Sequence, residues 1–145
     1  MVKKIMAWAI TITMIFALYV TATRCTVTFV PKYSQTIVDN VTATAKKTDS
    51  LFATIQLSSN KNFSTYAATY ASIESSIGSI LLQDAVRNKP ALIISQTQAV
   101  LDAFVKYENE HKTKVLITAG EAESYKLSMA AYWKALLISE THLNK

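Results

Sequence analysis

Residues 63–85, FSTYAATYASIESSIGSILLQDA, carry the pattern that decides the fold. Their apolar side chains follow one another mostly at steps of three and four residues: Phe63, Tyr66, Tyr70, Ile73, Ile77, Ile80, Leu81 and Ala85. This spacing is typical of one face of an α-helix. The pattern stops at Arg87-Asn88-Lys89-Pro90, where Pro90 suits the first turn of a following helix. The sequence therefore predicts an amphipathic helix that is followed at once by another.

Three further segments have the same period. The first contains Ile37, Val41, Ala45, Thr48, Phe52 and Ile55, after a candidate N-cap at Ser34. The second contains Ile93, Thr97, Val100, Phe104 and Tyr107. The last follows a capping box at Thr118 and Glu121, and contains Ala122, Tyr125, Met129, Tyr132, Trp133, Leu136 and Leu137. Because the connections are short, the sequence predicts an all-α fold, an antiparallel up-down-up-down four-helix bundle preceded by an N-terminal signal or anchor helix.

The composition agrees with a single helical domain. The chain has 145 residues, of which 50% are hydrophobic and 17% charged, so a disordered chain is not expected. Two Gly and two Pro are too few for a sandwich or barrel with many tight turns. A single Cys excludes an intramolecular disulfide framework.

The N-terminus has the layout of an export signal. Lys3 and Lys4 precede a stretch without charge from Ile5 to Val20. This stretch is at the short limit for a permanent anchor, because a spanning helix needs about 20 apolar residues. The sequence therefore predicts a signal peptide or membrane anchor at 1–22, an extended leader at 23–33 and the bundle at 34–145, with the protein exported to the periplasmic side of a membrane.

The fate of this leader stays open between three outcomes. Cleavage after Ala22 would free the protein, and lipid attachment to Cys25 would make it a lipoprotein. Retention of the segment would leave a single-pass tether. Lipid modification needs a small residue directly before the cysteine, and Arg24 fits this requirement poorly. Among the three outcomes we favour membrane attachment, either by a lipid or by the retained helix.

The residues around this leader carry a resemblance. A leader ending at Cys25, the run Phe29-Val30-Pro31-Lys32-Tyr33 and then Lys47-Thr48-Asp49 resemble small helical lipoproteins of the bacterial envelope. The resemblance covers the leader and the first helix best. It implies a location and a helical fold, and it implies no chemistry.

Reactive centres are not expected. Glu108 and His111 have the spacing of half a di-metal motif, but the second half is missing, because Glu140 and His142 are two residues apart. We therefore expect Glu108 and His111 to form a solvated helix end, with no metal and no cofactor. No nucleophile motif is present, no convergence of ionisable groups is expected, and scattered basic residues in an exported chain argue against nucleic acid.

Two surfaces are candidates for binding. In the predicted topology the membrane-proximal end collects Arg24, Lys32, Arg87, Lys89 and Lys145, which would contact anionic headgroups. At the other end, Val115, Leu116 and Ile117 would either contact a partner or fold over the open end of the bundle.

These features predict a membrane-tethered helical bundle that acts as a structural or interaction module of the cell envelope, and not an enzyme. Its expected partners are the membrane and an envelope protein. The alternative is a soluble periplasmic bundle that binds a small ligand in an aromatic-lined pocket, with Tyr side chains and Met129 facing it.

Overall fold

The computed structural model describes residues 33–87 and 89–143, and these residues form four α-helices. The helices are α1 (Gln35–Leu57), α2 (Phe63–Val86), α3 (Ala91–Lys114) and α4 (Ala119–His142). This part of the chain contains no β-strand, only an isolated backbone bridge between Asn62 and Leu116. The all-α prediction is therefore confirmed, and the helices are consistent with a four-helix bundle. The predicted signal or anchor helix and Cys25 lie outside the described residues.

The four helices share one apolar core. Each helix packs against two others, α1 on α4 and α2, and α3 on α2 and α4. Phe52 lies at the centre, where its ring meets those of Tyr70, Phe104 and Tyr125 edge-on at centroid distances of 6.2, 6.4 and 5.9 Å. Edge-to-face pairs of this kind contribute about 0.5–1.5 kcal/mol beyond the area that they bury. The apolar stripes of the sequence therefore meet around one aromatic ring.

Local sequence predicts some of the N-terminal caps of the helices correctly and others not. The predicted capping box is present, because Glu121 N donates to Thr118 Oγ1 at 3.1 Å and Thr118 N donates to Glu121 Oε2 at 2.7 Å. Ser34 occupies the N-cap of α1, but its hydroxyl makes no capping hydrogen bond. Pro90 is the N-cap of α3 and not a residue of its first turn. Asn62 caps α2 by accepting from Ser64 N at 3.0 Å.

The connections between helices meet at two ends of the bundle. At one end, Phe63 N donates to Val115 O at 2.9 Å, which joins the α1–α2 connection to the α3–α4 connection. At the other end, Lys89 in the α2–α3 connection pairs with Glu140 in the last turns of α4. Among the described residues, no helix combines the length and the apolarity that crossing a membrane requires.

Candidate functional site

A groove of about 560 Å³ runs along the surface between α1 and α4. Its size falls within the range of about 300–1,000 Å³ that small-molecule sites occupy. The apolar residues that line it are Ala45, Met129, Ala130, Trp133, Leu137 and Ile138. The charged residues that line it are Lys46, Lys126, Lys134 and Asp49. The groove thus combines an apolar lining with an excess of positive charge.

Trp133 is the aromatic residue of this groove. Its side chain is almost fully buried, and its indole Nε1–H finds no acceptor among the described residues. A buried donor without a partner costs about 1–3 kcal/mol. Met129 lines this groove, whereas none of the described tyrosines, which the sequence-based alternative placed in a pocket, does. Tyr66, Tyr70 and Tyr125 lie instead in the core.

A second feature is a cluster of ionisable side chains enclosed where α2, α3 and α4 meet. Lys89 Nζ donates to Glu140 Oε2, and both side chains are fully buried. Thr97 Oγ1 donates to Asp84 Oδ2 at 2.8 Å, and Lys89 N donates to Asp84 O at 3.2 Å. Asp84 Oδ1 and Glu140 Oε1 have no hydrogen-bond partner among the described residues.

The cluster contains two carboxyl groups and one ammonium. Burial raises the pKa of Asp84 above its ordinary value, the hydrogen bond from Thr97 opposes this shift, and the charge of Glu140 adds to it. A raised pKa favours the neutral acid, which reduces the excess of buried negative charge. The expectation that ionisable groups do not converge is therefore wrong.

The same cluster corrects the prediction for Lys89. We expected Lys89 at the membrane surface with Arg87, but its ammonium lies inside the protein on Glu140. A buried charge needs a hydrogen-bonded partner, and Glu140 supplies one. Arg87 is exposed as that prediction requires. Arg24, Lys32 and Lys145 lie outside the described residues.

His111 lies in a third polar cluster, at the end of the bundle where the α1–α2 connection lies. It is fully buried, so the prediction of a solvated helix end is wrong for this residue. His111 Nε2 lies 2.8 Å from Lys61 O, which only accepts, so this nitrogen carries the proton. In the neutral imidazole, His111 Nδ1 then accepts from Tyr70 Oη at 3.1 Å. Burial raises the pKa of Tyr70, which keeps its hydroxyl protonated as this bond requires.

Glu108 lies three residues before His111 on α3. Burial and the nearby charge of Glu74 raise the pKa of Glu108 above its ordinary value. Nowhere in residues 33–87 and 89–143 do three or more His, Cys, Asp or Glu side chains group in a way that could hold a metal ion.

The loop between α3 and α4 divides into two parts. Ile117 is 3% exposed and packs into the core, so it covers the end of the bundle. Val115 and Leu116 are 52% and 58% exposed, which leaves these two side chains accessible to a partner. Ile117 therefore folds over the end of the bundle, and contact with a partner stays a prediction for Val115 and Leu116.

Three exposed apolar side chains that the sequence analysis did not single out lie on either side of the α2–α3 connection. Leu82, Val86 and Leu92 are 65%, 74% and 63% exposed, and we call these three residues the apolar tip. Leu82 and Val86 share one face of α2, because residues four apart on a helix are neighbours. Arg87 directly follows Val86 and is also exposed.

No known protein family, no curated protein and no solved structure matches this chain.

Proposed function

We propose that this protein is an exported, membrane-tethered helical bundle that acts as a structural or interaction module of the cell envelope. Residues 1–22 act as signal peptide or anchor, and the four helices run up-down-up-down with antiparallel neighbours. The ion pair between Lys89 and Glu140 supports this arrangement, since it joins the α2–α3 connection to the end of α4. In that arrangement α1 begins at the same end of the bundle as the apolar tip.

The apolar tip is the observation that carries this proposal. Leu82, Val86 and Leu92 stand exposed at the end where α1 begins in this arrangement, whereas Leu57, Val115 and Leu116 stand exposed at the other end. Apolar side chains are stabilised by about 25 cal/mol for each Å² of their surface that is removed from water. Insertion into a bilayer interface removes such surface from water. Arg87 beside the tip adds attraction to anionic headgroups of about 1 kcal/mol. The tip and the tether would thus engage the same membrane.

The enclosed position of the ionisable cluster supports a role without catalysis. The side chains of Lys89 and Glu140 have no exposed surface, and Asp84 is likewise fully buried. A general acid or base must come within hydrogen-bond reach of a reacting group. A solute cannot reach these carboxyls while the helices stay packed, and we assign the cluster to stability.

Membrane fractionation tests this proposal. The full chain is expressed with its own N-terminus in a Gram-negative bacterium, and the membranes are pelleted and washed with high salt. We expect the protein in the washed pellet, and deletion of residues 1–24 should move it to the soluble fraction. Cys25→Ser then separates the two kinds of tether, since it releases a lipid-anchored protein and leaves a helix-anchored one in place. Full recovery of the unaltered chain in the soluble periplasmic fraction would contradict the proposal.

A second candidate function is the binding of a small ligand in the groove between α1 and α4. The groove favours it, because Met129, Trp133 and Leu137 contribute an apolar lining to a volume of ligand size. This function is compatible with a tether, since the groove lies on the side of the bundle and the apolar tip lies at its end.

A further inference from the structure

We infer that the groove between α1 and α4 binds a long-chain carboxylate, a single-chain anionic amphiphile such as a fatty acid. This inference rests on the ligand-binding function proposed for the groove, and it names the ligand class. Two features of the groove carry it, the excess of basic side chains that line it and the length of its apolar lining.

Basic and apolar side chains alternate along the groove. Lys126 and Lys134 of α4 and Lys46 of α1 line it together with Met129, Trp133, Leu137 and Ile138. Asp49 is the acidic residue among the lining side chains. The groove therefore places cations beside an apolar surface, which suits an amphiphile with an anionic head and an apolar chain.

The dimensions suit one extended acyl chain. The residues of α4 that line the groove run from Lys126 to Thr141, about 22 Å along the helix axis at 1.5 Å per residue. A helix about 10 Å across would occupy roughly 1,600 Å³ over 20 Å of its length, well above the 560 Å³ of the groove. The groove can therefore enclose a single chain, whereas a helix could insert only a row of its side chains.

Charge argues against two other occupants that the chain itself could provide. Residues 1–32 contain the cations Lys3, Lys4, Arg24 and Lys32 and no Asp or Glu, so this segment would meet lysines with like charge. A second copy docked through the same groove would bring Lys46, Lys126 and Lys134 against their own counterparts. Like charges across an interface oppose association. An anionic ligand is the occupant that these side chains attract.

Photocrosslinking tests the inference on the full chain in membranes. The probe is hexadecanoic acid with a diazirine in its chain and a terminal alkyne, and labelled peptides are mapped by mass spectrometry. We expect labelling of the peptides that contain Met129 to Ile138 and Thr42 to Asp49. Excess hexadecanoate should compete with the probe, and hexadecanol, which has the same chain and no charge, should compete at least tenfold less well.

Matched variants separate the groove from the rest of the surface. Ala130→Phe fills the groove from an exposed position and should reduce labelling at least tenfold, whereas Ala68→Phe on the exposed face of α2 should leave it unchanged. Replacing Lys46 and Lys126 with Gln should reduce labelling at least fivefold. The same change at Lys106 and Lys112, outside the groove, should have no effect.

The outcomes distinguish the ligand class from the binding function. If hexadecanol competes as well as hexadecanoate while Ala130→Phe still blocks labelling, the groove binds a ligand but the carboxylate inference is overturned. If the groove peptides are not labelled at all, the binding function fails with it. A lysine-reactive crosslink from Lys134 to Lys3 or Lys4, or between Lys134 residues of two copies, would identify the other occupants and overturn both.

Discussion

Lys89 and Glu140 form an ion pair that has no exposed side-chain surface, and it links the α2–α3 connection to the last turns of α4. The two residues are 51 positions apart in the chain. Pairs of this kind are costly to break, because the remaining charge stays buried without a partner. The pair therefore fixes a connection that contains few apolar side chains of its own.

Replacing Lys89 with Met should lower the free energy of unfolding by about 3–5 kcal/mol, because it leaves the Glu140 carboxylate uncompensated. Replacing both Lys89 and Glu140 with Met should recover most of this loss. Urea denaturation followed by circular dichroism measures both. Lys106→Met is the control, since Lys106 is exposed, lies 3.9 Å from Glu110 and should cost less than about 1 kcal/mol. If Lys89→Met is as stable as the control Lys106→Met, the ion pair does not stabilise the fold and the prediction is contradicted.

Asp84→Asn should change the dependence of stability on pH. The pKa of Asp84 in the folded protein lies above its ordinary value of 3.8, so the fold favours the neutral acid. The stabilisation from this group is complete below the ordinary value and is lost as the pH rises through the raised one. The unaltered protein should therefore lose stability from about pH 4 upward relative to Asp84→Asn, whose amide still accepts from Thr97. Asp102→Asn, at an exposed position, should leave the profile unchanged, and parallel profiles for all three proteins would contradict the assignment.

Tyr70→Phe should destabilise the protein by about 1–3 kcal/mol. It removes the hydroxyl that donates to His111 Nδ1 and leaves that buried nitrogen without a partner. The ring itself stays in the core, so the loss reports the hydrogen bond and not packing. Tyr132→Phe on the exposed face of α4 should stay within about 0.5 kcal/mol of the unaltered chain. Equal effects of the two changes on the urea midpoint would show that this bond adds nothing.

Val115→Gly should stabilise the protein by about 1 kcal/mol. Val115 has a backbone φ of 65°, in the region that β-branched residues adopt only with strain. Its side chain is more than half exposed, so little packing is lost. Val105→Gly inside α3 is the opposite control and should destabilise by about 1 kcal/mol. A lower melting temperature for Val115→Gly would mean that the valine side chain contributes more than the strain costs.

The helix positions were predictable from the sequence because burial follows the helical period. Ile37, Phe52 and Ile55 in α1, and Ile73 and Ile77 in α2, were all assigned to the apolar stripes and are buried. The capping box also followed from local sequence, because its partners are three residues apart.

The buried polar residues were missed although they have the same spacing. Asp84 follows Ile80 by four positions, His111 follows Tyr107 by four, and Glu140 follows Leu136 by four. Polar side chains at such positions are usually exposed, and what keeps them buried is a partner elsewhere in the chain. The sequence did not indicate the partners, because Lys89 lies in a connection and Tyr70 on another helix.

The groove was not predictable in its position. It forms where the small side chains of Ala45 and Ala130 line the same surface between α1 and α4. Which helices become neighbours, and how they are rotated, depends on the whole core. The alternative function placed Met129 in a pocket, whereas the sequence analysis did not single out the lysines around it.

Quenching of tryptophan emission by brominated phospholipids decides whether the apolar tip contacts the membrane. Val86→Trp in the tip and Leu116→Trp in the α3–α4 connection replace exposed apolar side chains at opposite ends of the bundle. The full chain is reconstituted in vesicles, and the emission of each variant is compared with that of the unaltered protein. We predict that the emission added at residue 86 is quenched and that the emission added at residue 116 is not. Equal quenching at both positions, or quenching at residue 116 alone, would contradict a bundle that meets the membrane through this end.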